Sequence, residues 1–296
     1  MNLDARLDHW RSEIDRALDE YLPDEGSPPL SLHRAMRYAV FAGGKRLRPI
    51  LTLAASEAVG AEGHLALPCA CAIEMVHTYS LVHDDLPSMD NDSLRRGKPT
   101  THVVFGEALA ILAGDALLTR AMEMLATEPP GDAMAPRRTQ VLSLVARAAG
   151  AAGMIGGQAD DLAAAAIAGS AASERLISIH RRKTGALITA SVLAGAVIAG
   201  AGEEIERLRR YGEAIGLAFQ IVDDILDVES TTAVLGKSAG KDARDLKLTF
   251  PAVLGPAESR RRAEELCREA QAEARALGPR AAPLGDLATF VMARKN

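Results

Sequence analysis

Leu81-Val82-His83-Asp84-Asp85-Leu86-Pro87-Ser88-Met89-Asp90 and Phe219-Gln220-Ile221-Val222-Asp223-Asp224-Ile225-Leu226-Asp227 carry the two acidic clusters of this chain, each set in an apolar, helix-like surround. Residues i and i+4 of an α-helix share a face, so Asp223 and Asp227 project together with Asp224 beside them. The flanking apolar residues read as a core helix, which turns the carboxylates toward a cavity, and burying unpaired charge is costly. Two carboxylates about 4 Å apart repel by roughly 4 kcal/mol at an effective dielectric near 20. Asp84, Asp85, Asp90, Asp223, Asp224 and Asp227 together therefore call for cations. Every obvious ligand is a carboxylate oxygen, which favours a hard ion such as Mg²⁺ over zinc. An isolated acidic helix face is ordinarily just solvated; two of them inside apolar stretches weigh against that reading. Asp84 and Asp90 are a poor helical match with Pro87 between them. The helix is expected to end near Leu86, with the chain curling to return Asp90 toward Asp84.

Hydrophobic residues make up 48% of the 296 residues and aromatics only 3%, a mix that favours closely packed helices over a β-sandwich. Helical periodicity places helices at roughly 3–21, 29–43, 46–59, 64–86, 102–126, 135–152, 154–168, 172–182, 184–200, 203–229, 245–254, 257–277 and 281–294, with no convincing alternating strand. The expected architecture is all-α, one domain over residues 1–296. The unpatterned stretch 230–246 reads as a loop over a site.

A net charge of −5 argues against nucleic acid as the main partner. Cys69, Cys71 and Cys267 form an odd set without metal-type spacing, which reads as reduced thiols in a cytoplasmic protein. The N-terminus shows no apolar signal segment, and the apolar run from Ala186 to Gly202 reads as a buried core helix rather than a membrane span.

The basic residues are local. Gly43-Gly44-Lys45-Arg46-Leu47-Arg48-Pro49 places cations at a helix start, where backbone N–H groups and the helix dipole favour an anion. Arg95, Arg96 and Lys98 follow the first acidic cluster; Lys183, Lys237, Lys241 and Lys247 bracket the second. His77 sits two turns before Asp84 on the same face, a contact position for a ligand, whereas His83 points elsewhere and receives no role. Cations beside metal-binding carboxylates suit a diphosphate bridged by Mg²⁺. Those lying away from the carboxylates suit a second diphosphate held by side chains alone.

The segments GGKRLRP, MVHTYSLVHDDLPSMDNDSLRRGKPTTH, GGQADDL, HRRKTGALI, GLAFQIVDDILD, GKSAGKD and KLTFP occur in this order across about residues 30–255. In them the chain resembles the trans-isoprenyl diphosphate synthases, most of all the bacterial farnesyl diphosphate synthases. The resemblance implies a helical bundle around a deep cavity, a homodimer, and condensation of isopentenyl diphosphate with an allylic diphosphate. It implies Asp84, Asp90 and Asp223 as Mg²⁺ ligands, with Asp85, Asp224 and Asp227 acting directly or through water. Lys45, Arg48, His77 and Arg96 match the isopentenyl diphosphate pocket. Arg95, Lys183, Lys237 and Lys247 match groups gripping the allylic diphosphate. Thr184 and Gln220 match positions beside the allylic carbon. Ser93 stands where such sequences commonly carry aspartate and receives no metal role, and the basic tail offers Arg294 as a cover for diphosphate.

Product length would be set along the helix carrying Asp84. Ser80 lies one turn below Asp84, while Tyr79 is rotated about 140° from it on an ideal helix, so geometry alone does not single Tyr79 out. In similar sequences an aromatic at that position limits the product to fifteen carbons. The expectation is therefore farnesyl diphosphate, with C20 geranylgeranyl or C10 geranyl diphosphate as alternatives. A class I terpene cyclase would not need Lys45, Arg48 and Arg96, and a non-catalytic subunit would tolerate loss of an acidic cluster.

Overall fold

The computed structural model describes residues 2–163, 171–229 and 248–294. Lys237, Lys241, Lys247, the expected loop at 230–246 and the end of the helix expected at 154–168 lie outside the described residues.

α1 (Leu3–Tyr21) starts at Asn2, whose side chain accepts the Ala5 N–H at 2.9 Å. That satisfies one unpaired first-turn donor, a cap worth about 1 kcal/mol. Its buried Leu7, Trp10, Ile14, Ala17 and Leu18 recur at helical spacing and form one stripe. α2 (Leu30–Val40) and α3 (Leu47–Ala58) follow. α4 (Leu67–Asp84) is buried almost all round, from Pro68 through Val76 and again at Tyr79 and Ser80. A helix apolar on every face belongs at the centre of a bundle, and α4 packs against α1, α3 and α6 (Glu107–Thr127).

α7 (Ala135–Ala149), α8 (Met154–Ala163) and α9 (Ala171–His180) lead to a second central helix, α10 (Ala186–Ala199), which packs on α3, α7 and α11 (Ile205–Glu229). α12 (Phe250–Leu254), α13 (Pro256–Ala276) and α14 (Ala282–Ala293) close the bundle against α11. His64–Asp84 and Ser173–Ala199 are long and apolar enough to cross a membrane by length and composition, yet 78% and 67% of their most apolar windows are buried inside the bundle.

Three details depart from the sequence reading. The helix expected over 102–126 is divided into α5 (Thr101–Phe105) and α6 by Gly106, whose φ of 85° a residue with a Cβ adopts only under strain. A two-residue antiparallel ribbon, β1 (Leu94–Arg95) with β2 (Lys98–Pro99), turns through Arg96 and Gly97, both at positive φ. This is the geometry of a tight two-residue hairpin, too short to show alternation in sequence. The separate helices expected at 172–182 and 184–200 are instead joined by a π-helical turn at Arg181–Gly185.

Candidate active site: two acidic helices and a cationic cavity

α4 ends at Asp84, with Asp85 as its C-cap. Beyond it the Asp90 N–H donates to the Asp84 carbonyl at 2.8 Å, and Asn91 N–H to the Leu86 carbonyl at 3.0 Å. The expected return of Asp90 to Asp84 is present, with the helix ending slightly earlier than the sequence suggested. Burial holds the Asp84 carboxyl above its usual range, opposed chiefly by the nearby charge of Lys183. Gln158 Nε2 donates to Asp84 Oδ1 at 2.8 Å, and Lys183 Nζ donates to Asp161 Oδ2 at 2.6 Å. Gln158 and Asp161 on α8 both reach the site because Gly157 lies against the π turn. A Cβ there would stand 2.3 Å from the Lys183 backbone nitrogen. The motif Gly156-Gly157-Gln158 carried that signal, although Gln158 and Asp161 received no role from the sequence.

The π turn then links the two acidic helices. Lys183 feels the charge of Asp84 on α4. Its neighbour Thr184 donates from Oγ1 to Gln220 Oε1 on α11 at 2.7 Å. π turns are frequent at functional sites because they reorient adjacent side chains, and here consecutive residues serve opposite walls.

The other carboxylates are already engaged. Asp85 is buried and accepts from Arg95 Nε at 2.8 Å and Nη2 at 2.6 Å. Burial raises its pKa while Arg95 pulls it down. The guanidinium expected on the allylic diphosphate is thus held in a fork by Asp85. Asp223 Oδ1 accepts from Arg294 Nη2 at 2.5 Å, and the Arg294 guanidinium stacks over Phe219 with 4.2 Å to the ring centroid. Asp224 is buried and accepts from Gln220 Nε2 at 2.8 Å and from the Phe250 N–H at 2.9 Å. Asp227 is buried on the same helix. Among the described residues no three His, Cys, Asp or Glu side chains converge as a ready-made metal cage.

Beside Asp223 lies a cavity of about 480 Å³ lined by Lys45, Arg48, His77, Arg96, Phe219 and Arg294 with the Gly43-Gly44 turn. All four residues expected in a metal-free anion pocket therefore share one space. α3 starts there without a side-chain cap, leaving its first N–H groups for an anion. Burial and the Arg294 charge lower Lys45 to about 8, and burial lowers Arg48 to about 10. Burial, then the charges of Arg48, Arg96 and Arg95, lower His77 well below its ordinary value. Buried nitrogens of Arg48 and Arg294 have no hydrogen-bond partner among the described residues, the signature of donors waiting for an acceptor. Arg46, by contrast, turns inward to Glu74 at 2.8 Å and Asp15 at 2.9 Å and is structural. Arg48 feels both Glu74 of α4 and Asp223 of α11, so the cavity bridges the same two helices as the π turn.

At the far side of α4, Tyr79 is 5% exposed, and its hydroxyl has no hydrogen-bond partner among the described residues. Its ring meets His83 edge-on with centroids 5.8 Å apart, and burial pushes its pKa up to about 12. The Ser80 hydroxyl donates to the His77 carbonyl at 2.8 Å, which commits its proton within the helix.

The polyprenyl synthetase family model matches residues 29–278. The chain belongs to the polyprenyl synthetase family. A geranylgeranyl diphosphate synthase of Cyanophora paradoxa is 46% identical to it over all of this chain and 97% of its own length. The large subunit 1 of a heterodimeric chloroplastic geranylgeranyl pyrophosphate synthase of Arabidopsis thaliana is 48% identical over 96% of this chain and 77% of its own. A crystal structure of an FPP/GFPP synthase from Zymomonas mobilis superposes with a TM-score of 0.86 at 38% identity, covering 99% of both chains. As a polyprenyl synthetase the chain is a prenyltransferase with the all-α fold of its solved relatives.

Proposed function

We propose that this polyprenyl synthetase condenses isopentenyl diphosphate with allylic diphosphates, successively, to C20 geranylgeranyl diphosphate. The observation that carries the condensation is the pair of distinct anion environments. One is the acidic pair of helices joined through Lys183 and Thr184; the other is the adjoining cavity of Lys45, Arg48, Arg96 and Arg294. The C20 length follows two relatives that carry geranylgeranyl in their names, which favours it over the farnesyl product expected from the sequence. One observation favours C15 as a second reading: the buried Tyr79 ring, braced by His83, in the helix along which the chain would grow.

Mg²⁺ fits the donors present. It takes one or two carboxylates plus substrate phosphates rather than a full protein cage, and Asp84, Asp90 and Asp223 supply hard oxygens of that kind. Bound there, Mg²⁺ neutralises charge on the leaving diphosphate. Lys183 adds a cation on the Asp84 side, and Arg294 is placed to pass from Asp223 to phosphate oxygens. Lys45, Arg48 and Arg96 hold isopentenyl diphosphate, with His77 as a neutral partner. The allylic C–O bond breaks with its electron pair leaving on diphosphate. Thr184 and Gln220 oxygens face the carbon that becomes positive, and apolar walls exclude water. The isopentenyl double bond attacks that carbon, and a proton then passes to the released diphosphate.

A homodimer is part of this reading. Val103, Val104, Ile111 and Leu112 on α5 and α6 are 44–54% exposed, an apolar set suited to a second copy. A cytoplasmic setting fits the three buried, free cysteines. Incubation with isopentenyl and dimethylallyl diphosphate plus Mg²⁺, followed by chain-length analysis, tests the proposal. C20 is expected; a C15 end product supports the second reading, and no elongation by the isolated chain removes both.

A further inference from the structure

Asp224 belongs by sequence to the second acidic cluster, yet both of its oxygens are engaged within the protein. Oδ1 accepts from Gln220 Nε2 at 2.8 Å and Oδ2 from the Phe250 N–H at 2.9 Å, in a residue only 3% exposed. The His180 ring stacks on Phe250 at 5.4 Å and sets its Nε2 3.4 Å from Asp224 Oδ2. A carboxylate can only accept hydrogen bonds, so its charge dictates which way the Gln220 amide turns. The NH₂ must face Asp224, and Oε1 must face Thr184, whose hydroxyl donates to it at 2.7 Å. The single Thr184 proton is thereby consumed, and the remaining oxygen lone pairs of the pair are left directed elsewhere. Thr184 follows Lys183, which faces Asp84, and Gln220 precedes Asp223 by one turn. The pair therefore sits between the two acidic walls.

We propose that Asp224 is a positioning residue that sets the polarity of the Gln220–Thr184 pair, so that oxygen lone pairs rather than protons meet the carbon where positive charge develops. This rests on the prenyl-transfer reading and deepens it. An amide or hydroxyl aimed with its hydrogens at that carbon would oppose ionisation, whereas fixed oxygens favour it without reorganisation.

Asp224→Asn keeps the shape and loses one acceptor. The oxygen of the introduced amide still accepts the Phe250 N–H, so its NH₂ meets Gln220 and forces that amide to turn. The Gln220 NH₂ then donates to Thr184, and the Thr184 proton points away from it. The expected result is a fall in kcat of about 10- to 100-fold. KM for both substrates, the half-saturating Mg²⁺ concentration, and calorimetric binding of an unreactive allylic thiodiphosphate should stay within about twofold. In the double variant D224N/Q220E the carboxylate introduced on α11 accepts from both the neighbouring amide and Thr184, restoring the original sense of the Thr184 bond. Its kcat should exceed that of D224N about tenfold. Should D224N melt near the assay temperature, the series is assayed in the cold, and Thr184→Val with and without D224N gives a second readout: the second change should cost little once the hydroxyl is gone. A raised Mg²⁺ requirement in D224N, no recovery in the double variant, or fully additive losses with Thr184→Val would overturn the proposal. A wild-type chain that fails to elongate overturns the prenyl-transfer reading instead.

Discussion

Arg294 closes one carboxylate oxygen of Asp223, Nη2 to Oδ1 at 2.5 Å, reaching from the C-cap of α14 onto α11. The same guanidinium is only 8% exposed and rests on Phe219, four residues before Asp223. It therefore occupies the carboxylate that the proposed Mg²⁺ would use. Arg294→Gln should lower the half-saturating Mg²⁺ concentration a few-fold, because a competing cation is removed. KM for isopentenyl diphosphate should rise about tenfold, from loss of a charge-assisted contact worth roughly 1.5 kcal/mol. Steady-state kinetics at varied Mg²⁺ and varied isopentenyl diphosphate reads both.

Lys45 sits in the cationic cavity with its pKa lowered to about 8, burial being the main cause and Arg294 the next. Below that pH the ammonium is charged and attracts diphosphate; above it the free enzyme holds a neutral amine. kcat/KM for isopentenyl diphosphate, which reports free-enzyme groups, should fall as pH rises through about 8. Lys45→Arg should move that limb to higher pH, since guanidinium remains charged. A pH–rate profile of both proteins checks it.

Tyr79 combines a bulky ring with a buried hydroxyl that has no partner among the described residues. Tyr79→Phe should leave product length unchanged and stabilise the fold by about 1 kcal/mol, because an unsatisfied buried group is removed. Tyr79→Ala should add C5 units to the longest product. Urea unfolding and chromatography of the dephosphorylated products measure the two effects. An unaltered product range for Tyr79→Ala would remove Tyr79 as the floor.

Asp85 and Arg95 form a forked pair in which the carboxylate side chain is 5% exposed and the guanidinium 26%. Arg95→Ala strands the buried carboxylate and should cost about 3 kcal/mol of stability. Adding Asp85→Asn should recover most of that loss. Denaturant melts of the single and double variants decide it.

Ile111 and Leu112 present apolar surface on α6. Leu112→Glu should convert a dimer to monomer without unfolding the bundle, read by light scattering with circular dichroism as the check.

The helices were legible because apolar residues recur at helical spacing from α1 to α14, and the return of Asp90 was legible because Pro87 forbids a longer helix. Partner choice was not legible. Nothing local says that Asp85 takes Arg95, or that Asp223 takes a residue 71 positions away at Arg294. The resemblance could rank the six carboxylates, but only the fold shows which side chains Asp85, Asp223 and Asp224 pair with. The π turn was hidden for a different reason. His180-Arg181-Arg182-Lys183-Thr184-Gly185 carries a glycine and reads as a break between two helices, whereas one widened turn joins them and leaves the apolar pattern of α10 intact. Gln158 and Asp161 were missed because a polar residue beside paired glycines reads as a surface until the close approach of Gly157 to Lys183 is known.

That widened turn has a consequence for how the segment tolerates change. One surplus residue shifts α10 about 100° in rotational phase relative to α9, and this offset lets Lys183 address one wall and Thr184 the other. Deleting a single residue between Arg181 and Gly185 would relax the coil to ordinary pitch and spin either the core helix or the working pair out of register. Side chains here that serve neither wall can be exchanged, but the length of the stretch is locked.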